Sequence, residues 1–285
     1  MYDDLDPLDL LITRALQEDI GPGDYSTLSC IPPETEGSAV LKVKEAGVLA
    51  GISVAERIFR LVEPGASIVR FFEDGAAAEP GNLAFEVNAH VHTILQCERV
   101  VLNCMQRMGG IATLTRSYTR LLEPYHTRLL DTRKTTPNFR LLEKEAVRIG
   151  GGLNHRMGLY DMILLKDNHI DFCGGVVKAV EAAWAYVRER ELPLKIEVET
   201  RSLLEVRQAL DTGKVDRILL DNFQPQQVAR AVEFIAGRAE TEASGGINLE
   251  NLISFAETGV DFVSAGAVIH QARSLDLSLK AKIKG

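Results

Sequence analysis

Residues 131–170 read DTRKTTPNFRLLEKEAVRIGGGLNHRMGLYDMILLKDNHI, and the order of apolar and polar residues along them sets the expected fold. A short apolar run, 127–130, ends on Asp131, and a second, 162–165, ends on Lys166. Between them Thr136-Pro137 predicts a helix start, an N-cap followed by proline, with Phe139, Leu142 and Ala146 in phase behind it. The same unit then recurs: runs at 195–198, 217–220, 240–243 and 261–263 end on Glu199, Asp221, Ser244 and Ser264. The six end residues are spaced by 35, 33, 22, 23 and 20 positions. Ser202 with Glu205 predicts a capping box for a helix stopped at Gly213, and Asn248 predicts the cap of another stopped at Gly259. Nearly continuous apolar strands separated by helices predict a parallel sheet covered by helices, which six units can close into a barrel. An open doubly wound sheet is the competing architecture, and the lack of an early G-x-G-x-x-G counts against it. Both architectures bind ligands beyond the C-terminal ends of their strands.

The residues before this region are mixed. A helix is expected over 5–20, with Leu8, Leu11, Ile12, Ala15 and Leu16 on one face and Gly21-Pro22-Gly23 as its stop. The following GDYSTLSC reads as a turn. Strand patterns occupy 38–50, 67–72 and 83–92, with a short helix at 54–61. From 93 to 123 a long helical pattern is expected to break at Gly109-Gly110. Its Arg99 and Arg107 read as surface or snorkelling residues on a mostly apolar helix.

A chain of 285 residues suffices for one large domain or two smaller ones, and its 46% hydrophobic and 25% charged content is that of a globular protein. The formal charge is −8, yet residues 131–169 hold seven Lys and Arg against five Asp and Glu, a local +2 that leaves −10 elsewhere. A cationic patch on an acidic protein suits a small polyanionic ligand; a nucleic-acid partner would call for a broadly basic face. A lightly basic loop between two elements is the plainer alternative. No apolar run approaches the roughly 20 residues that cross a bilayer, and the acidic start MYDDLDPLDL lacks the basic region of a signal peptide. The expected location is therefore cytoplasmic, with no membrane and no nucleic-acid partner. Cys30, Cys97, Cys104 and Cys173 form no C-x-x-C pair and read as free thiols.

At the strand ends, chemistry is divided. Arg133, Lys134, Arg156 and Lys166 suit carboxylates and phosphates, the arginines offering bidentate geometry. Glu199 and Asp221 would repel a phosphate directly and suit a divalent cation or ribose hydroxyls, since Mg²⁺ binds through one or two carboxylates plus substrate phosphates. As strand-end acids they could equally cap the next helices. Ser244-Gly245-Gly246 and Gly266 offer backbone N–H groups to a phosphate, although Gly-Gly after a strand also makes an ordinary turn. His155 could donate to a carboxylate or serve structurally, and His169 and His270 read as supporting groups.

TRKTTP at 132–137, LLEKEAVRIGGG at 141–152, NHRMGLYD at 154–161, LLKDNHI at 164–170, LLDNF at 219–223, EASGGI at 242–247 and DLSLK at 276–280 together resemble the quinolinate phosphoribosyltransferase family. The likeness departs at Asn138-Phe139, where Gly-Leu is common, and at Ala265 in a varied Ser-x-Gly turn. It implies an α/β fold of the type II phosphoribosyltransferase kind. That fold has an N-terminal α/β sandwich-like domain over 1–112, completed by about 272–285, and an incomplete β/α barrel over 113–271. It implies quinolinate and phosphoribosyl pyrophosphate as substrates, Mg²⁺ as cofactor, and a homodimer or larger assembly in which Arg99, in CERVVLN, enters the partner's site. It places Thr132, Arg133, Lys134, His155, Arg156 and Lys166 around quinolinate and the phosphates. Ser244, Gly245, Gly246 and Gly266 fall on the 5′-phosphate, and Glu199 and Asp221 on the ribose and the metal, directly or through water. Lys134, Lys166, Glu199 and Asp221 are the expected catalytic set. A related transferase-like protein of molybdenum-transport operons shares the scaffold, and a non-catalytic barrel binding a phosphorylated metabolite is the alternative from another class.

Overall fold

The computed structural model describes residues 6–282, and within it the chain forms two compact units. The first comprises the described parts of Met1–Arg116, Thr135–Gly151 and Gln271–Gly285; the second comprises Ser117–Lys134 and Gly152–His270. The expected division at 112/113 and 271/272 is thus shifted by a few residues, and 135–151 leaves the expected barrel range to pack with the first unit.

In the first unit helix α1 (Pro7–Ile20) begins where Asp6 accepts a hydrogen bond from the Leu8 N–H, and it ends at Gly21. Helix α2 (Tyr25–Cys30) occupies the stretch expected to be a turn, because the Asp24 carboxylate caps it by accepting the Thr27 N–H. Strand β1 (Glu36–Val43) is followed by the short β2 (Gly47–Val48), so the expected strand over 38–50 is two. Helix α3 (Ile52–Val62), β3 (Ser67–Arg70), β4 (Ala77–Ala78) and β5 (Leu83–His90) follow. Alternate residues of β1 (Ala39, Leu41, Val43) and β5 (Phe85, Val87) are buried, and Phe59 of α3 meets Phe85 edge-on at 6.5 Å.

Helix α4 (Val91–Leu122) runs through Gly109-Gly110 without a break. The glycines serve close approach: a Cβ on Gly110 would lie 1.8 Å from the Arg273 carbonyl oxygen, and one on Gly109 3.0 Å from Leu275. Helix propensity lost at two glycines is offset by the chain segment that they let in.

After β6 (Arg128–Leu130), helix α5 (Arg140–Ile149) starts three residues later than Pro137 predicts. Asn138 stands in the left-handed region at φ 61°, which a helix start at Pro137 cannot contain. That backbone suits glycine best and asparagine next, which accounts for asparagine where the resembling family commonly has glycine. Glu143, fully buried on α5, accepts from the Thr136 N–H at 2.8 Å, the Thr136 hydroxyl at 2.9 Å and Arg107 Nε at 2.9 Å. Arg116 donates to the Gly150 carbonyl at 3.1 Å. These bonds hold 135–151 to α4 and explain its place in the first unit.

The second unit continues with β7 (Ile163–Leu165), α6 (Asp167–Cys173), α7 (Val176–Glu189), β8 (Ile196–Thr200), α8 (Leu203–Asp211) and β9 (Arg217–Asp221). Then come α9 (Pro225–Ile235), β10 (Glu240–Ser244), α10 (Leu252–Ala256), β11 (Phe262–Ser264) and α11 (Ala267–His270). All six expected runs are strands, in one sheet ordered β6-β11-β10-β9-β8-β7 with every pair parallel. Among the described residues β6 and β7 do not pair; Leu153 instead bridges Leu130, so the barrel is incomplete. Ser202 caps α8 by accepting the Glu205 N–H, but the Glu205 carboxylate accepts the Arg201 N–H, so the expected box is only half formed; Asn248 caps a turn, accepting from Glu250 and Asn251, and α10 begins only at Leu252.

The last strand, β12 (Leu277–Ala281), returns to the first unit, where the four-stranded antiparallel sheet is ordered β12-β1-β5-β3. No helix among the described residues is long and apolar enough to cross a membrane. Gly110→Ala, which puts a methyl into main chain that has no room for it, is expected to lower unfolding free energy by roughly 1–3 kcal/mol or more, read by urea denaturation. A neutral outcome would mean that residues 273–275 do not lie on α4.

Candidate active site

Parallel register delivers Asp131, Lys166, Glu199, Asp221, Ser244 and Ser264 to the same end of the second unit's sheet. Asp131 is fully buried and organises the chain beside it. Its Oδ1 accepts the His155 N–H at 2.8 Å and its Oδ2 accepts Asn154 Nδ2 at 2.7 Å. The loop that follows is tied by Asp161, which accepts the N–H groups of Met157 and Gly158 at 2.7 and 2.9 Å.

The expected cations have different neighbours. Arg156 is buried, and its pKa is lowered first by loss of water and then by the nearby charge of Arg133. A guanidinium stripped of water and near a second positive charge favours an anionic partner. Lys166 lies 3.2 Å from Glu199, a carboxylate only 9% exposed, so one expected catalytic cation already neighbours one expected catalytic acid. The Lys166 N–H donates to His169 Nδ1 at 2.9 Å, a supporting contact of the kind expected for that histidine.

At the other side of the sheet end, Thr132 and Lys134 border Gly266. A Cβ there would stand 3.1 Å from Lys134 Cδ and 3.2 Å from Thr132 Oγ1, and Thr132 Oγ1 also accepts the Lys134 N–H at 3.1 Å. Gly245 and Gly246 have positive φ of 100° and 64°, a backbone that glycine takes with the least strain. A Cβ on Gly245 would sit 2.3 Å from Asn222 Oδ1. Asn222, itself at φ 56°, donates its N–H to the Ser244 carbonyl at 2.8 Å and its side chain to Asp221 at 2.7 Å, locking the ends of β9 and β10 together.

His155 occupies a different setting. Its side chain is 7% exposed, with Nε2 3.0 Å from Glu197 and 3.5 Å from Glu242, and Nδ1 accepts the Arg156 N–H at 2.7 Å. Burial pushes its pKa down, but the two carboxylates outweigh that and hold it up to about 9. The contact between Nδ1 and a donor opposes a second proton there, whereas both influences keep the first proton on Nε2. Arg217 completes the group, Nη1 standing 3.0 Å from Glu242. Sequence reading passed over Glu197, Glu242 and Arg217. Their signal was alternation: in IEVET and ETEAS the acids recur every second residue, the spacing of one strand face.

Arg99 lies in the first unit, exposed on α4 one turn after the half-exposed Leu95. Cys97 and Cys104 are buried free thiols whose pKa burial pushes up to about 12.

A parallel α/β sheet with paired cations, carboxylates and glycine turns gathered at its strand ends defines an enzyme for small anionic substrates. Family profiles agree in kind and detail: "Quinolinate phosphoribosyl transferase, C-terminal domain" matches residues 111–280 and the corresponding N-terminal domain matches 24–109. The chain belongs to the quinolinate phosphoribosyltransferase family. It is 43% identical to the decarboxylating quinolinate phosphoribosyltransferase 2b of Nicotiana tabacum over 93% of this chain and 80% of the relative. It is 41% identical to a probable carboxylating nicotinate-nucleotide pyrophosphorylase of Synechocystis over 96% and 92%. The crystal structure of NadC from Streptococcus pyogenes superposes with a TM-score of 0.90 at 41% identity, covering 98% of this chain and 99% of that one.

Asp131→Ala would remove the acceptor of the partly buried His155 N–H, a loss of about 1–3 kcal/mol, and that of the Asn154 amide, which can turn to water. Urea denaturation should therefore show a clear loss of stability, and the unchanged midpoint of an equally stable variant would remove Asp131 as the anchor of residues 154–155.

Proposed function

We propose that this chain transfers the phosphoribosyl group of phosphoribosyl pyrophosphate to quinolinate with loss of CO₂, giving nicotinate mononucleotide and pyrophosphate for NAD biosynthesis. The observation that carries this reading is the gathering, at one set of strand ends, of the Lys166–Glu199 pair, the buried Arg156 and left-handed glycines. Dicarboxylate, ribose and phosphate each find a matching chemistry there. Simple phosphate binding has no use for Glu199 and Asp221.

Arg133 and Arg156 grip the quinolinate carboxylates, with Thr132, Lys134 and Lys166 around the ring and the phosphates and His155 buried behind Arg156. Ser244, Gly245, Gly246 and Gly266 present backbone N–H groups to the 5′-phosphate. Glu199 and Asp221, on adjacent strands, face the positive charge that develops at ribose C1′ as pyrophosphate departs. The pyridine nitrogen forms the bond to C1′ as the C1′–O bond to pyrophosphate breaks. The ring is then cationic, so the carboxylate beside the nitrogen leaves as CO₂, its electron pair stabilised on the adjacent carbon until a proton replaces it. Orientation by paired cations accounts for a barrier reduction on the order of 7 kcal/mol in well-aligned systems.

Mg²⁺ fits this donor set. Two carboxylates, one beside an amine and one beside an amide, leave the remaining positions to substrate phosphates and water, as this ion requires. When bound, it neutralises charge on the leaving pyrophosphate.

The assembly belonging to this reading is at least a homodimer, with Arg99 reaching the partner's quinolinate. Exposed Arg99 and Leu95 on one face of α4 support it. Free cysteines suit a reducing compartment such as the cytoplasm.

With Mg²⁺ and phosphoribosyl pyrophosphate, quinolinate should release pyrophosphate and CO₂ in equal amounts, and nicotinate should release neither. Pyrophosphate from nicotinate, or silence with both, would reassign the site. Arg133→Ala should abolish quinolinate binding, measured calorimetrically, with circular dichroism unchanged; wild-type kinetics would remove Arg133 from the reaction. Mixing Arg99→Ala with Lys134→Ala protein should restore activity in mixed dimers. Confirmed subunit exchange without restoration would exclude the shared site.

A further inference from the structure

Inside the second unit's sheet four titratable groups are buried together. Glu197 on β8 and Glu242 on β10 are fully buried, Arg217 on β9 is 7% exposed, and His155 comes from the loop between α5 and β7. The Arg217 guanidinium bridges two acids of β10, with Nη1 3.0 Å from Glu242 and Nη2 3.0 Å from Glu240, and it stacks on Phe262 at 4.2 Å. Neither oxygen of Glu197 nor Oε1 of Glu242 receives a well-aligned hydrogen bond among the described residues. Charge, more than hydrogen bonding, therefore holds the carboxylates in place.

Such a cluster is a poor way to stabilise a sheet. Desolvating two carboxylates costs several kcal/mol each, and well-packed apolar residues of similar volume generally do as well or better. What the cluster achieves is orientation. The carboxylates hold the imidazole by Nε2, which turns Nδ1 onto the N–H of Arg156. A ring free to rotate would release that N–H.

His155, Glu197 and Glu242 also offer three donor atoms within 4.8 Å of one another, as a metal site would. The fixed guanidinium of Arg217 argues against that use: it supplies positive charge directly at Glu242.

We propose that Glu197 and Glu242, with Arg217 as their fixed counter-ion, are positioning residues that act through the His155 ring to set the main chain of Arg156. The inference rests on the reading that places Arg156 on a quinolinate carboxylate. It makes the buried acids determinants of quinolinate recognition although neither touches the substrate.

Glu197→Gln keeps the shape and removes the charge nearest to Nε2. It should raise the KM for quinolinate roughly tenfold or more, the scale of a small misplacement of a binding group, and leave the KM for phosphoribosyl pyrophosphate within about twofold. Because the acid acts through the ring, Glu197→Gln combined with His155→Asn should bind quinolinate no worse than His155→Asn alone. A wild-type quinolinate KM in Glu197→Gln, an equal rise in both KM values, or multiplying effects in the double variant would overturn the proposal. If Glu197→Gln does not fold, Glu242→Gln is read in the same way. Imidazole nitrogen NMR of the wild-type protein decides independently of turnover. The signal missing from His155→Asn should show a proton on Nε2, and a bare Nε2 would sink the idea. Failure of the wild type to turn over quinolinate would strike the functional reading, while the NMR outcome would still decide whether the acids hold the ring.

Discussion

Parallel strand pairing is the constraint from which the rest of the catalytic unit follows. A strand in a parallel sheet cannot turn back on itself, so each of β6 to β11 finishes at the same end, and whatever residue finishes it joins the others. Six strands collect Asp131, Lys166, Glu199, Asp221, Ser244 and Ser264 from positions spread over more than a hundred residues. The chemistry is assembled by topology first and refined by local hydrogen bonds second. The apolar strand interiors supply stiffness, and the ends supply function.

Electrostatic balance is the second theme. Cations gathered to receive a polyanion lose water and repel one another before it arrives: the pKa of Arg156 is depressed first by burial and then by the charge of Arg133. Charge of opposite sign stands close by: Glu199 next to Lys166, and Glu197 near enough to Arg156 to counter that depression. Nearby acids thus limit the cost of keeping a cationic site preorganised, which lets the binding energy of the substrate go into orientation. The ledger is local: Glu199 and Asp221 lie at the ends of β8 and β9, and Glu197 and Glu242 lie deeper, on β8 and β10.

Much of this was legible in the chain. Continuous apolar runs closed by polar residues located all six strands of the parallel sheet, because burial on both faces leaves a strong compositional mark. The cations of residues 133–166 stood out for the complementary reason, as charge clustered among glycines. Local chemistry misled where its partner lay far away in sequence. Gly109-Gly110 looked like a helix break since nothing nearby announces residue 273 lying on it. Thr136-Pro137 looked like a helix start, whereas Glu143 and the left-handed Asn138 make it a strap before the helix. Glu197 and Glu242 were overlooked because an acid inside a strand reads as an exposed position, and only the assembled sheet shows that both faces are covered. Arg99 looked like an ordinary surface arginine, and only the family resemblance gave it a role.

The return of β12 to the first sheet has a consequence for how the protein is made. Strand β1 pairs with β5 on one side and with β12 on the other, so the sheet begun near residue 36 gains its last strand only with residues 277–281. During synthesis the first unit must wait, with the β1 edge and the surface around Gly110 uncovered, while the residues of the second unit leave the ribosome and become able to fold as a block. The order of maturation thus inverts the order of the sequence: the inserted unit can be complete while the unit that precedes it is still open. A premature stop a dozen residues from the end would leave the catalytic sheet formed and the older half of the chain carrying an unpaired strand edge, the kind of surface by which nascent chains aggregate.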